Sequence, residues 1–181
     1  PLSSSSPPPP NNKCTVEKIT LEIPLVETTK NNSSSSSFVH DYFMGLAIEQ
    51  AKIAWAQKEV PIGAIVVREV VPSSSSSSNT TQRTFEILSK GHNQVETQYD
   101  ATSHAETNAL RSASSTISNW RLVNTTLYTT MEPCVMCLSA ALAFRVKCIV
   151  YGAIDKRLGA IETYIRLLDV VEHPYHTVES V

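Results

Sequence analysis

The 181-residue sequence has no apolar run near the ~18 to 20 residues that a membrane-spanning helix needs. A transmembrane helix is excluded. Basic charge is not in excess either, with a formal net charge of −2 and a sequence pI near 6.2. From Phe38 onward, 12 Lys and Arg stand against 14 Asp and Glu. A polynucleotide partner would therefore have to be held by a local patch and not by bulk charge. Cysteine is scarce, at four residues, too few for a disulfide scaffold in a chain of this length. Two of them form Cys134-x-x-Cys137, the spacing of metal or redox chemistry in a reducing compartment, which predicts an intracellular protein.

Serine is the abundant residue. Fifteen of the 23 serines lie in three pure runs, Ser3 to Ser6, Ser33 to Ser37 and Ser73 to Ser78. No such run can bury apolar surface. Residues 1–37 add Pro7 to Pro10 and paired asparagines, a composition that cannot offset its ordering entropy, and a disordered arm is expected there. Serine content fits a targeting peptide, but the absence of Arg and the presence of Glu17, Glu22 and Glu27 do not. The alternation Ile19-Thr-Leu-Glu-Ile23 is the one stretch of the arm with a strand pattern. Setting aside the arm and an insertion at about 72–83 leaves about 130 residues, a common size for one hydrophobic core.

That core is expected over 38–181. Helical periodicity begins at Phe38, with Tyr42, Leu46 and Ile53 on one edge and Phe43, Ala47 and Ala54 on another, and stops before Pro61. Residues 61–67 read as a buried strand and 84–90 as its hairpin partner, with the third serine run in the loop between them. A long polar loop at a hairpin tip costs little, because closure entropy grows only logarithmically with length. Helical stretches follow at 104–114, 134–144 and 161–171, and strands at 126–130, 148–151 and from 177. Strands alternating with helices predict an α/β fold whose later strands are parallel, with helices on the sheet faces.

Two segments carry chemistry together: His104-Ala-Glu106 and Glu132-Pro-Cys-Val-Met-Cys137. Each sits where a loop or strand runs into a predicted helix. Pro133 suits a first helical turn, where its missing N–H would be unpaired anyway. Cys134 and Cys137, three residues apart, then project from one helix face. Helix N-termini favour thiolates. One imidazole and two thiolates are three ligands, the number used by a catalytic zinc that leaves its fourth position to water. Glu106, two residues past His104, need not ligate the metal and can face that water instead, moving protons while the metal lowers the water pKa to ~7. H-x-E with P-C-x-x-C is the signature of zinc nucleobase deaminases. Cys14 falls in the arm and Cys148 in an apolar strand. His40, His92, His173 and His176 have no ligand spacing to the pair and read as structural or surface residues.

Further segments extend the pattern: Glu59-Val-Pro-Ile-Gly-Ala64, Gly91-His-Asn93, Tyr151-Gly-Ala153 with Asp155, and Leu168-Asp-Val-Val-Glu-His-Pro174. With these, the chain resembles the TadA-type tRNA-specific adenosine deaminases of the cytidine-deaminase-like superfamily. The likeness runs from about residue 39 to the end. It implies a three-layer α/β/α fold around a mixed sheet of about five strands with an antiparallel first hairpin. It implies hydrolytic conversion of adenosine to inosine at the wobble position of a tRNA anticodon loop, with Zn2+ held by His104, Cys134 and Cys137 and protons moved by Glu106. Asn93 matches a base-contacting residue, Ala105 one whose backbone meets the base, Glu59 one near the ribose and Asp155 one near the nucleotide backbone. A homodimer is implied, with a heterodimer as the other form, in the cytoplasm or in an organelle such as a chloroplast or mitochondrion. Relatives usually add a C-terminal helix, and the chain, which stops at Val181, is expected to lack it.

Two other functions stay open on the sequence. The zinc motifs are shared across the superfamily, and Asn108 is reminiscent of guanine and deoxycytidylate deaminases, so deamination of a free base or nucleotide (guanine, cytosine or dCMP) is one. A non-catalytic subunit of a deaminase heterodimer is the other. Such subunits tend to lose the proton-shuttling Glu, whereas Glu106 is present.

Overall fold

In the computed structural model of the chain, residues 16–23, 33–70, 81–170 and 178–181 are described. Six strands form one sheet: β1 (Glu17–Ile23), β2 (Gly63–Val70), β3 (Thr81–His92), β4 (Thr125–Thr129), β5 (Cys148–Tyr151) and β6 (Glu179–Ser180), in the order β1-β3-β2-β4-β5-β6. The pairs β1–β3, β3–β2 and β2–β4 are antiparallel, whereas β4–β5 and β5–β6 are parallel. The helices are α1 (Ser33–Ala56), α2 (Val95–Gln98), α3 (Ala105–Thr116), α4 (Val135–Ala143) and α5 (Leu167–Val170). Consecutive parallel strands need a crossover, and α4 supplies the one between β4 and β5.

The central strands are largely buried because both faces are covered. Ala64, Val66, Leu127 and Ile149 pack into the core with α3 and α4. Their neighbours Ile65, Val67, Tyr128 and Val150 pack with Val39, Phe43 and Ala47 of α1 on the opposite face. Period-2 alternation thus feeds two cores, which gives the three layers expected from the resemblance. Close docking of α1 depends on Gly63, where a Cβ would lie 2.1 Å from the Ala47 carbonyl oxygen and 2.4 Å from the Ala51 nitrogen. Backbone cannot move aside as a flexible side chain can. Gly63→Ala is therefore expected to destabilise the chain by about 2 kcal/mol, measured as a lower denaturant midpoint with an unchanged slope.

Several element boundaries differ from the sequence expectation. The sheet has six strands and not about five, because residues 17–23 of the expected disordered arm pair along β3 as an edge strand. Lys18 with Glu86 at 3.5 Å and Lys90 with Glu17 at 2.8 Å flank it, and Leu21 turns inward. The first helix starts at Ser33 and not Phe38, so the second serine run lies inside α1. Serine costs a helix only a few tenths of a kcal/mol per residue, which the docking of the residues that follow can offset. The expected loop at 72–83 gives its last three residues to β3; the third serine run and the rest of residues 1–37 lie outside the described residues. His173 and His176 lie outside them as well. The helix expected over 161–171 is confined, among the described residues, to Leu167–Val170, because a buried carboxylate takes the backbone N–H groups at 161–163 (below).

Candidate metal centre and active site

Two helix N-termini meet at one end of the sheet. His104 is the N-cap of α3 and Cys134 that of α4, both in extended backbone conformation and neither forming a side-chain cap. Their side chains are free for another use. His104 Nδ1 lies 3.7 Å from Cys134 Sγ and 3.5 Å from Cys137 Sγ, and the three donor atoms fall within 4.8 Å of one another. A borderline nitrogen and two sulfurs at this spacing suit one zinc ion, with three protein ligands and a fourth position for water. The donor set therefore fits zinc.

Electrostatics point the same way. The hydrogen bond from Cys137, reinforced by His104, pulls the Cys134 thiol down to about 4. The same hydrogen bond, with burial, pushes the Cys137 thiol up. The two thiols share one proton, which a divalent cation would displace. The hydrogen bond with Cys134 raises the His104 imidazole above its ordinary value against the opposing effect of burial. Glu106, in the first turn of α3, is 3% exposed, and its Oε2 has no hydrogen-bond partner. Burial pushes its carboxyl up to about 7. A buried carboxyl with one oxygen unpartnered, beside the ligand group, is poised to take up and release a proton near neutral pH.

The residues expected to contact substrate differ in their surroundings. Asn93 and Glu59 are both buried, and Asn93 Nδ2 donates to Glu59 Oε2 at 3.0 Å. The Glu59 carboxylate also accepts from the backbone N–H of Glu96 and Thr97 and from Thr97 Oγ1. Burial opposes its charge, but these bonds prevail and hold the carboxyl below its usual range. Glu59 thus pins the start of the loop from Gln94 to Ser103 and orients Asn93. Ala105 is fully buried against β3, where a Cβ on Gly91 would lie 2.7 Å from the Ala105 carbonyl oxygen. Asp155 Oδ1 accepts the Arg157 N–H at 2.9 Å, and the Asp155 N–H donates to Glu132 Oε2 at 3.0 Å. Asn108, singled out for its likeness to other deaminases, donates to the carbonyls of His92 and Ser103 and to Ser103 Oγ. It is a brace for that loop.

Glu132 has a role that the sequence did not announce. Its carboxylate is buried beneath the segment 155–163 and accepts from the backbone N–H of Asp155, Ile161, Glu162 and Thr163 and from Thr163 Oγ1, at 2.6–3.2 Å. Gly159 passes so close that a Cβ there would lie 2.2 Å from Glu132 Oε2. Cys134 pairs with Gly159 in an isolated β-bridge, and Ala160 N–H donates to Pro133 O. The carboxylate therefore ties the 155–163 segment to the strand-to-helix turn carrying Cys134. The available signal was an acid between a buried strand and a helix start, with no partner nearby in sequence.

Comparisons with known proteins agree with this geometry. Residues 38–153 match the cytidine and deoxycytidylate deaminase zinc-binding region. The tRNA-specific adenosine deaminase of Aquifex aeolicus is 36% identical over 129 residues, 71% of this chain and 76% of that protein. The chloroplastic tRNA(adenine(34)) deaminase of Arabidopsis thaliana is 40% identical over 129 residues, 71% of this chain, which spans only 9% of that much longer protein. A solved structure from work on A-to-I editing by tRNA:A34 deaminases at the wobble position of transfer RNA superposes with a TM-score of 0.63 at 30% identity, covering 78% of this chain and 91% of that one. The guanine deaminase of Bacillus subtilis superposes at 0.52 with 26% identity, covering 77% and 82%. With a matched zinc-binding region, a three-layer mixed sheet and a His/Cys/Cys group at two helix N-termini, the chain belongs to the cytidine and deoxycytidylate deaminase family.

Proposed function

We propose that the chain is a zinc-dependent hydrolase that converts adenosine to inosine in tRNA, at the anticodon wobble position. The observation that carries the chemistry is Glu106, buried beside the ligand group with one oxygen unpartnered. The similarity to tRNA adenosine deaminases carries the substrate. His104, Cys134 and Cys137 would hold zinc, which would supply Lewis-acid activation of water when bound. Glu106 does the proton work. It receives the proton that water gives up and delivers one to adenine N1 as oxygen bonds to C6. It then takes the proton of the new C6 hydroxyl and passes it to the amine as the C6–N bond breaks. The balance is adenosine plus water to inosine plus ammonia.

Around that centre, Asn93 contacts the base and the Ala105 backbone lines its pocket. Glu59, whose carboxylate is filled by four donors, acts near the ribose by holding Asn93 in place. Asp155 contacts the nucleotide backbone. Residues 38–181 act as the deaminase domain, with the edge strand β1 supplied from the preceding arm. Assembly is as a homodimer: Val135 is 40% exposed on α4, beside the buried face formed by Leu138, Ala141 and Leu142, and this supports a partner surface. No helix among the described residues is long and apolar enough to cross a membrane. The name of the Arabidopsis relative supports a chloroplast as one compartment, with cytoplasm and mitochondrion as the others.

The test is inosine formation by the zinc-loaded chain on an anticodon stem-loop with adenosine at the wobble position, run beside guanine, cytosine and dCMP with ammonia release as the common readout. Turnover of the stem-loop alone is expected, with zinc near one per chain. Turnover of a free base or nucleotide and none of RNA would sink the substrate assignment. Ammonia from none of them, with activity restored to an inactive partner, would make the chain a non-catalytic subunit.

A further inference from the structure

Tyr99 is 96% exposed, the highest value among the large apolar side chains described. It ends α2 in the left-handed region, at φ 52 and ψ 36. Five described non-glycine residues have positive φ, namely Lys58, Tyr99, Ser118, Asn124 and Arg145, and Tyr99 is the sole aromatic among them. A helix end of this kind usually carries glycine, and a bulky side chain there costs stability. Nothing in the fold recovers that cost, because a ring this exposed packs on nothing.

The backbone beneath it is nevertheless held firmly. The N–H groups of Tyr99 and Asp100 both donate to Val95 O. Asp100 Oδ1 accepts from Thr102 N and Oγ1 at 2.8 Å, Ser103 N–H donates to Asp100 O, and Glu59 anchors Glu96 and Thr97. The turn from Asp100 to Ser103 is therefore tight, which keeps the Tyr99 Cα within ~15 Å of the His104 Cα. A solvent-exposed aromatic side chain on a held backbone thus stands, Cα to Cα, within about the span of two nucleotides of the metal group. Strain kept at a functional edge without a packing benefit points to a ligand.

We propose that Tyr99 is a stacking platform for a nucleobase flanking the reacting nucleotide of the RNA substrate. This deepens the RNA reading above and rests on it. Every base has a π-face, so a tyrosine ring binds its neighbour with little sequence demand, and the fixed backbone means little freedom is lost on binding. The residue touches RNA and not the reacting atoms. It governs KM.

The experiment uses the zinc-loaded chain, the anticodon stem-loop and the variants Tyr99→Gly, Tyr99→Ala and Tyr99→Phe. Glycine and alanine are expected to raise KM by about tenfold with kcat unchanged, and phenylalanine, which keeps the ring, to retain the wild-type KM. The melting temperature of Tyr99→Gly is expected to equal or exceed that of wild type, because glycine relieves the left-handed backbone. A role in folding would move it down. An active wild type whose glycine variant has an unchanged KM overturns this inference alone. So does a KM increase accompanied by a changed sedimentation coefficient, since the ring would then serve a second copy of the chain. A wild type inactive on the stem-loop overturns the RNA reading and this inference together.

Discussion

Glu106→Gln is expected to lower kcat for inosine formation by ~10²- to 10⁴-fold while zinc stays near one per chain. Glutamine keeps the volume and a hydrogen-bonding end but can neither receive the proton from water nor give one up. The site around it should survive, because Glu106 is not one of the three clustered donors. Its Oε2 makes no hydrogen bond that the substitution would break. Burial, which pushes the carboxyl up to about 7, opposes its charged form, so a neutral amide costs the fold little. Measuring kcat, bound zinc and melting temperature on one preparation separates the possibilities. A variant with wild-type kcat would remove Glu106 from the mechanism; one that lost zinc would make it part of the metal's support.

Glu132→Ala is expected to destabilise the chain by about 3–5 kcal/mol and to reduce kcat/KM as well. Four backbone N–H groups and the Thr163 hydroxyl lose their common acceptor. Gln is little better, because its NH2 would face donors. The loss reaches the site through the 155–163 segment, which bridges to Cys134 at Gly159. A pH dependence accompanies it. Burial works against ionisation of Glu132, but the hydrogen bonds led by the Glu162 N–H hold its carboxyl below the ordinary 4.5. A depressed carboxyl stabilises the fold fully above the unfolded value and loses that contribution as the pH falls below 4.5 toward its folded value. Denaturation midpoints should thus fall with acid in the wild type and fall less in Glu132→Gln. Equal acid slopes in the two proteins would show that the carboxylate does not carry this stability.

The chemistry was legible in the sequence because its parts are local. His104-Ala-Glu106 and Pro133-Cys-Val-Met-Cys137 each set their geometry within one helical turn, so spacing alone placed one imidazole and two thiolates at helix starts. The buried strands were legible from short runs rich in apolar and β-branched residues, since strands covered on both faces do not need a polar side. Glu59 and Asn93 could be named, but their mutual hydrogen bond joins residues far apart in the chain. The edge strand β1 was partly visible in Ile19-Thr-Leu-Glu-Ile23. Its place was not, because β1 pairs with β3, a strand far along the chain.

From residue type and spacing, the sequence by itself determined the α/β architecture and singled out His104, Cys134, Cys137 and Glu106 as the candidate site; the reaction class came from the likeness of those motifs to a known family. Only the tertiary structure decided the surroundings of Glu132, Asn108 and Tyr99. A carboxylate that gathers donors from a segment more than twenty residues away, an amide that braces a loop and a ring left in water are defined by what surrounds them in space. Hydrogen bonding and solvent exposure between distant parts of a chain leave no periodic trace in its sequence.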